Sequence, residues 1–192
     1  MDYLFSYVSE FCDDDFYKAY ESLGKIAKKR VDRYKRDDDK KRSLLAHMLL
    51  KKLMVKNNID EKLVYEENGR PVFESSSYYL SLSHSGDVAF SAVSKSPVGI
   101  DVEKIRPISL SLINRVCVDD EKAFVIGGYE ITDEKNICDI DVLKRFFEIW
   151  TAKEAYFKMI GSGITDLKSV NTLEFEKESF QHGEYIFTIL KR

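Results

Sequence analysis

The sequence predicts an α+β protein made of two similar halves. Strand-like, helix-like and strand-like stretches follow one another in that order twice along the 192 residues, without a clear sequence repeat. Each half contains one long amphipathic helix pattern, followed by strand patterns. The polar connection 94–97 divides the chain into halves 1–95 and 96–192. Each half is expected to hold a small antiparallel sheet packed on its long helix.

In the first half, aromatic and β-branched residues cluster in short runs bounded by turn residues. Such runs are typical of strands, and they occupy 3–8, 63–66, 71–73, 79–83 and 88–93. Apolar residues recur at helical spacing in 16–23 and from Ser43 to about 58. Asn68-Gly-Arg-Pro71 predicts a turn, and residues 83–87 are expected to form a hairpin loop.

The second half opens with a strand over 98–103 and an apolar segment over 106–113. A helix is expected to begin near 119–121 and to end at the glycines 127–128, and a longer one to run from about Asp141 to Ile160. Residues 173–175 and 185–190 predict a closing hairpin. The apolar side chains of the segment that opens this half suit either the core or a partner's helix, and they are Ile108, Leu110 and Leu112.

Composition indicates a globular protein of the cytoplasm. The chain is 44% hydrophobic and 33% charged, enough to build a sizeable core. Residues 1–11 do not resemble a signal peptide, and no apolar run approaches the length of a membrane span. Three scattered cysteines, at 12, 117 and 138, are typical of free thiols in a reducing compartment.

Charge is distributed unevenly along the chain. The net charge is −3, yet residues 25–42 contain ten Lys or Arg against four Asp, a local +6 that leaves −9 on the remainder. A basic segment on an acidic protein indicates a local anion site and argues against general nucleic-acid binding. As a group these cations suit a phosphate clamp, although any one of them is more simply read as a solvated surface residue.

The hexapeptide Val98-Gly-Ile-Asp-Val-Glu103 is the centre of the functional prediction. Its alternation places Asp101 and Glu103 on one face of a strand and the aliphatic residues on the other. Two carboxylates on one face call for a positive charge between them, which a hard cation such as Mg²⁺ supplies. Gly99 leaves room for close approach of a cofactor or a neighbouring backbone. The plain alternative is an edge strand with a solvated acidic face.

The segment Trp150-Thr-Ala-Lys-Glu-Ala-Tyr-Phe-Lys158 provides the second set of charges. Glu154 and Lys158 stand four residues apart, so they share one face of a helix. A pair at this spacing is most often a surface ion pair, but here aromatic residues surround it. Placed beside the acidic strand, a third carboxylate and an ammonium would complete a metal-phosphate site.

Together, Gly-Ile-Asp-Val-Glu and, some fifty residues later, Trp-Thr-x-Lys-Glu-Ala-x-x-Lys resemble the motifs of the Sfp-type 4'-phosphopantetheinyl transferases. Ser83-His-Ser-Gly86 and Gly69-Arg-Pro71 also resemble family segments. The resemblance covers essentially the whole chain, which is somewhat short for the type. It implies two similar α/β halves about a pseudo-twofold axis, with the active site in the cleft between them.

The family resemblance also implies a reaction. The phosphopantetheine arm of coenzyme A would move to a serine of an apo acyl or peptidyl carrier protein, leaving 3',5'-ADP. Asp101, Glu103 and Glu154 would hold Mg²⁺ or Mn²⁺, and Lys158 would stabilise the phosphate. Glu154 is the expected base, with a metal-bound water as its competitor. Coenzyme A would contact the following residues: Arg30, Ser43, Arg70, Ser83, His84 and Lys158.

Some expectations of the resemblance are less direct. The family places a further cation where Ala27 stands here, with Lys28 beside it. Glu121 is expected to support the metal site without binding the metal. Family members are usually monomers, and the partners implied are a carrier protein and coenzyme A, not a nucleic acid or a membrane. Two alternatives remain: a Mg²⁺-dependent phosphodiesterase and a non-catalytic module that binds carrier proteins.

Overall fold

Six α-helices, eight strands and three short 3-10 helices make up the regular structure of residues 1–67, 69–75, 77–163 and 166–192, which the computed structural model describes. Asn68 of the predicted turn lies outside the described residues. The first half contains β1 (Asp2–Tyr7), α1 (Asp13–Glu21), α2 (Lys25–Val31), α3 (Asp37–Lys56), β2 (Leu63–Tyr65), β3 (Pro71–Phe73), β4 (Tyr79–Ser85) and β5 (Val88–Ser94). The second contains β6 (Val98–Lys104), α4 (Leu110–Val116), α5 (Asp119–Ile126), α6 (Ile140–Ile160), β7 (Glu178–His182) and β8 (Tyr185–Lys191).

Two small antiparallel sheets have the same internal order. One sheet has the order β1-β5-β4 and the other β6-β8-β7, so in each the last strand of the half is central and the first strand is an edge. A long helix, α3 or α6, lies between the first strand and the closing hairpin in both halves. The predicted α+β class with small antiparallel sheets is therefore confirmed.

The sheets pack against each other through a shared apolar core. Phe90 of β5, Ile100 and Val102 of β6 and Phe187 of β8 are completely buried in one cluster. The outer face of the first sheet packs on α3, where Leu45 and the helix's other leucines are buried. Helix α6 buries an apolar stripe of its own against α4 and α5.

Several predicted boundaries are corrected by the structure. Ser83 and His84 lie within β4 and not in a loop, because only Gly86 and Asp87 form the turn to β5. Gly86 has a φ of +56°, which glycine adopts without steric cost. Helix α3 begins at Asp37 instead of near Ser43. The aspartates of its first turn interact favourably with the helix dipole, which the apolar spacing does not reveal.

The apolar segment after β6 and the final hairpin also differ from expectation. Ile108 is buried and pairs with Ile137 in an isolated bridge, while Leu110 and Leu112 pack against the core. The core alternative for these residues is thus the correct one. The predicted strand at 173–175 is replaced by a 3-10 helix, Thr172–Glu174, and the hairpin begins at Glu178. Among the described residues, no helix has both the length and the apolar composition needed to cross a bilayer.

Gly99 allows α6 to pack closely on β6. A Cβ at this position would collide with the carbonyl oxygen of Ala155, which is backbone. We expect Gly99→Ala to lower the free energy of unfolding by at least about 1–3 kcal/mol, because helix α6 must move to relieve the overlap. Gly24→Ala, whose new Cβ meets no atom within 4 Å, is the matched control. Urea unfolding of both variants checks this, and equal losses would contradict it.

Candidate active site

The acidic face of β6 is buried against α6. Asp101 is only 3% exposed, so the alternative of a solvated acidic strand is wrong. Its Oδ1 accepts hydrogen bonds from Lys158 Nζ at 2.6 Å and from Ser83 Oγ at 2.6 Å. Its Oδ2 is buried and has no hydrogen-bond partner among the residues that the structure describes. One oxygen of this carboxylate is thus satisfied by the protein and the other is left for a ligand.

The carboxylate of Glu103, like that of Asp101, accepts its described hydrogen bonds through one of its two oxygens. Its Oε2 accepts from Ser85 Oγ at 2.8 Å and from Arg106 Nη1 at 3.1 Å. Burial raises the pKa of Glu103, the nearby Asp101 carboxylate adds to the rise, and Ser85 and Arg106 oppose it. The carboxylate is therefore less well stabilised as an anion than it would be in water.

Glu154 lies close enough to Asp101 and Glu103 to interact electrostatically with both carboxylates. Burial, together with the nearby charges of Asp101 and Glu103 and against the opposing charge of Lys158, raises the pKa of Glu154 to about 7. The ammonium of Lys158 forms its ion pair with Asp101 and not with Glu154. The alternative of a surface ion pair between Glu154 and Lys158 is therefore wrong.

These three carboxylates fit a hard divalent cation in their chemistry. They supply oxygen donors, as Mg²⁺ and Mn²⁺ prefer, and the partnerless Oδ2 of Asp101 is one such donor. Within the described ranges, no three His, Cys, Asp or Glu side chains already converge closely enough to hold a metal ion. The three carboxylates therefore lie in one region of the structure without already converging on a single point.

A cavity of about 480 Å³ adjoins the carboxylates on the side of the basic segment. Five of the residues expected to contact coenzyme A line it, namely Arg30, Ser43, Ser83, His84 and Lys158. The sixth, Arg70, lines a neighbouring cavity of about 350 Å³ together with Arg30, Glu154 and Lys158. The guanidinium group of Arg70 also lies against Gly161 at the end of α6. The predicted contacts therefore gather around two adjoining cavities.

The basic segment contributes fewer cations to the cavity than its charge indicates. Arg30 and Arg33 line it. Several others form ion pairs, which are at the surface for Lys28 with Glu21, Lys40 with Asp37 and Lys41 with Asp13, and partly buried for Arg42 with Asp39. Ala27 is buried. Two arginines on or just after α2, rather than a continuous clamp, thus face the site.

His84 enters the cavity as a neutral imidazole at pH 7. Burial, together with the positive charges of Lys158 and Arg42, lowers its pKa to about 4. Its ring meets the edge of Tyr34 at 6.3 Å between centroids. Because β4 alternates, His84 and Ser83 point to opposite faces of the strand. His84 therefore offers an uncharged N–H donor to an anion.

The contacts described for Glu121 are with Lys153, Thr172 and Val118 and not with the three carboxylates of the candidate site. Glu121 is fully buried in an ion pair with Lys153, at 2.7 Å. Its other oxygen accepts from Thr172 N and Oγ1 at 2.8 and 2.9 Å. Lys153 Nζ also donates to Leu167 O at 2.7 Å and to Val170 O at 2.6 Å. This network ties α5 and the segment after α6 to the helix that carries Glu154.

Sequence reasoning missed two residues that line the cavity, His47 and Tyr65, and the role of the buried Lys153 on α6. His47 lines the cavity and accepts a hydrogen bond from the Tyr65 hydroxyl at 3.0 Å. Its position four residues after Ser43, on the same face of α3, was a usable signal. Lys153 stands four residues after the buried Ile149, so a charge on the apolar stripe was also visible. Tyr65 carried no signal, because its contact with His47 depends on how the β2–β3 hairpin folds onto α3.

The raised pKa of Glu154 has a consequence for stability in the absence of metal. Between its ordinary pKa of 4.5 and its folded value of about 7, the folded protein retains a proton that the unfolded chain has lost. The contribution of Glu154 to the free energy of unfolding therefore falls as pH rises through this window, while the lowered pKa of His84 contributes in the opposite direction between about 4 and 6.5. We expect the difference in free energy of unfolding between wild type and Glu154→Gln to fall as pH rises through the window, because only that difference isolates Glu154. Urea unfolding in a chelator across the window measures it, and parallel curves for the two proteins would contradict it.

Comparison with known proteins identifies the class. A model of the 4'-phosphopantetheinyl transferase superfamily matches residues 97–191. The 4'-phosphopantetheinyl transferase psf-1 of Bacillus pumilus is 33% identical over 132 residues, which are 66% of this chain and 53% of that protein. The transferase gsp of Aneurinibacillus migulanus is 30% identical over 136 residues, 69% of this chain and 53% of that protein. This chain belongs to the 4'-phosphopantetheinyl transferase superfamily.

Within the superfamily, the similarities are to Sfp-type members. The 4'-phosphopantetheinyl transferase Sfp of Bacillus subtilis is 26% identical over 138 residues, 69% of this chain and 58% of that protein. The chain is therefore an Sfp-type member, as its motifs predict. It spans little more than half the length of the curated relatives described above.

Proposed function

We propose that this protein transfers the 4'-phosphopantetheine arm of coenzyme A to a serine of an apo acyl or peptidyl carrier protein, releasing 3',5'-ADP. The observation that carries the proposal is the buried Oδ2 of Asp101, which has no hydrogen-bond partner among the described residues. This oxygen lies in a carboxylate cluster beside a cavity lined with arginine, lysine and histidine. A nucleotide with a pyrophosphate, bound through a divalent cation, satisfies both features.

In this proposal the chain's residues bind and orient the nucleotide end of coenzyme A. Arg30, Ser43 and His84 hold it in the larger cavity, and Arg70 holds it in the smaller one. Lys158 leaves or shares its contact with Asp101 to stabilise the phosphate. Asp101, Glu103 and Glu154 would hold Mg²⁺ or Mn²⁺, which supplies neutralisation of the charge that develops on the pyrophosphate. Positioning and electrostatics then account for most of the catalysis.

Glu154 is the proposed base for the carrier's serine hydroxyl. A serine hydroxyl is a weak nucleophile and needs a proton acceptor. With a pKa of about 7 in the metal-free protein, Glu154 is matched to that task near neutral pH. Metal ligation would lower this pKa, so a water molecule between Glu154 and the serine is the alternative acceptor.

The proposal includes a pseudo-twofold arrangement of halves 1–95 and 96–192. Exchanging the halves would exchange β1 with β6 and β4 with β7, since both sheets have the same strand order. The contact between β4 and β6 then corresponds to one between β7 and β1. Tyr3 and Phe5 of β1 do pack on Phe180 of β7, at 6.2 and 6.5 Å between ring centroids. One junction is thus polar and holds the site, and the other is aromatic.

The partners follow from the reaction. They are coenzyme A and an apo carrier protein, and the protein acts on them as a monomer in the cytoplasm.

A test separates transfer from the phosphodiesterase alternative. Release of 3',5'-ADP is followed with coenzyme A and Mg²⁺, with and without an apo carrier. We expect release only when the carrier is present. Release without the carrier would favour a phosphodiesterase, and binding of carrier without release would favour the non-catalytic module.

A further inference from the structure

Strands β4 and β6 lie edge to edge, but serine side chains join them instead of a backbone ladder. Ser81 Oγ accepts from Ile100 N at 3.1 Å, and Ser83 Oγ accepts from Val102 N at 3.3 Å. Ser85 Oγ accepts from Lys104 N at 3.2 Å. Each contact spans 19 residues, so the two strands run parallel. We call these three residues the serine ladder.

Two rungs of the serine ladder also contact the carboxylates of β6. Ser83 donates its proton to Asp101 Oδ1 at 2.6 Å, and Ser85 donates to Glu103 Oε2 at 2.8 Å. Ser81 accepts from the backbone as the others do, but none of the hydrogen bonds described for it reaches a carboxylate. The three serines therefore share one structural task, and only two of them have a second one.

The second task decides which carboxylate oxygen remains available. At Asp101, Ser83 and Lys158 both bind Oδ1, and Oδ2 is left buried without a partner in the described chain. At Glu103, Ser85 and Arg106 both bind Oε2. The hydrogen bonds described for Glu103 all end on this oxygen. The same pattern, one oxygen bound by the protein and the other left over, thus occurs at both carboxylates.

We propose that Ser85 is a positioning residue that orients Glu103, so that Oε1 faces the cation. The inference deepens the proposed function and rests on its metal site. Ser85 acts through Glu103 and does not contact substrate. Hydrogen bonds to a metal-ligating carboxylate fix its rotamer, and their loss typically weakens metal binding by about 10–100-fold. Arg106 alone does not replace Ser85, because its guanidinium reaches Glu103 from a half-exposed position at the end of the strand.

The experiment compares Ser85→Ala with Ser81→Ala. Ser81→Ala loses the equivalent backbone contact, from Ile100 N, without losing a carboxylate contact. Mn²⁺ affinity is measured by electron paramagnetic resonance on the intact chain, with and without saturating coenzyme A. We expect Ser85→Ala to weaken Mn²⁺ binding by roughly tenfold or more, and Ser81→Ala to change it by less than about threefold. Ser85→Thr, which retains a hydroxyl, should recover most of the affinity. Coenzyme A binding in a chelator should be equal in all four proteins.

Three outcomes would overturn the inference. Equal loss of Mn²⁺ affinity in Ser85→Ala and Ser81→Ala would assign the effect to the junction of the strands. Unchanged affinity in Ser85→Ala would leave Ser85 without a positioning role. Absence of Mn²⁺ binding by the wild-type protein would contradict the proposed metal site itself. Transfer to a carrier is measured separately, so wild-type Mn²⁺ binding without transfer would contradict the proposed function alone.

Discussion

Replacing Glu154 with glutamine is expected to lower the rate of phosphopantetheine transfer at least about a hundredfold, the usual range for a lost general base. The amide retains the size of the side chain but accepts no proton and binds a cation weakly. Because Glu154 is partly buried beside Asp101, with its pKa raised to about 7, removing its charge should not unfold the protein. The turnover number and the melting temperature, measured on the same preparation, separate the two effects.

Glu148→Gln is the matched control for that variant. Glu148 stands on the same helix, but its ion pair is with Lys177, at 3.9 Å, away from the carboxylate cluster. Its transfer rate should remain within about threefold of wild type, since a partly exposed pair contributes little. A similar rate for Glu154→Gln and wild type would remove Glu154 as the base and as an essential metal ligand.

Replacing Lys153 with methionine is expected to lower the free energy of unfolding by about 3–5 kcal/mol, because it leaves the buried Glu121 carboxylate without its counter-charge. Lys153 and Glu121 are both completely buried. The substitution also removes the hydrogen bonds that Lys153 donates to the carbonyl groups of Leu167 and Val170. Urea unfolding followed by circular dichroism measures the change.

A second substitution shows whether the loss comes from an isolated charge. Adding Glu121→Leu to Lys153→Met removes both charges and should recover part of the stability. Lys18→Met, which breaks an exposed pair with Asp14, should cost less than about 1 kcal/mol. Two results would show that the buried pair does not act as a unit. One is a loss in free energy of unfolding for Lys153→Met as small as that for Lys18→Met. The other is a double variant that is clearly less stable than Lys153→Met alone.

Local periodicity accounts for what the sequence could predict of the fold and site. Alternation placed Asp101 and Glu103 on one face of β6, since side-chain direction in a strand depends only on position. Helical spacing located α6 to within one residue at its start and placed Glu154 with Lys158. Glycine marked both the close approach at Gly99 and the end of α6 at Gly161. Each of these signals is read from residues close together in the chain, although the close approach at Gly99 is to the distant Ala155 of α6.

What the sequence could not predict depends on contacts between distant segments. The Glu121–Lys153 pair forms only because α5 packs on α6. The serine ladder forms only because the edges of two sheets meet, and its residues look like ordinary alternating polar positions of β4. For the same reason, helical spacing placed Lys158 on one face with Glu154, and only the packing of α6 on β6 forms its ion pair with Asp101.

The intact mass of an apo acyl carrier protein, after incubation with this protein, coenzyme A and Mg²⁺, tests the central claim most directly. The account predicts that the carrier gains the mass of one phosphopantetheine arm, and that Asp101→Ala and Glu154→Gln reduce this gain strongly. A carrier of unchanged mass, tested with several unrelated carriers and with no coenzyme A bound to the protein, would contradict it.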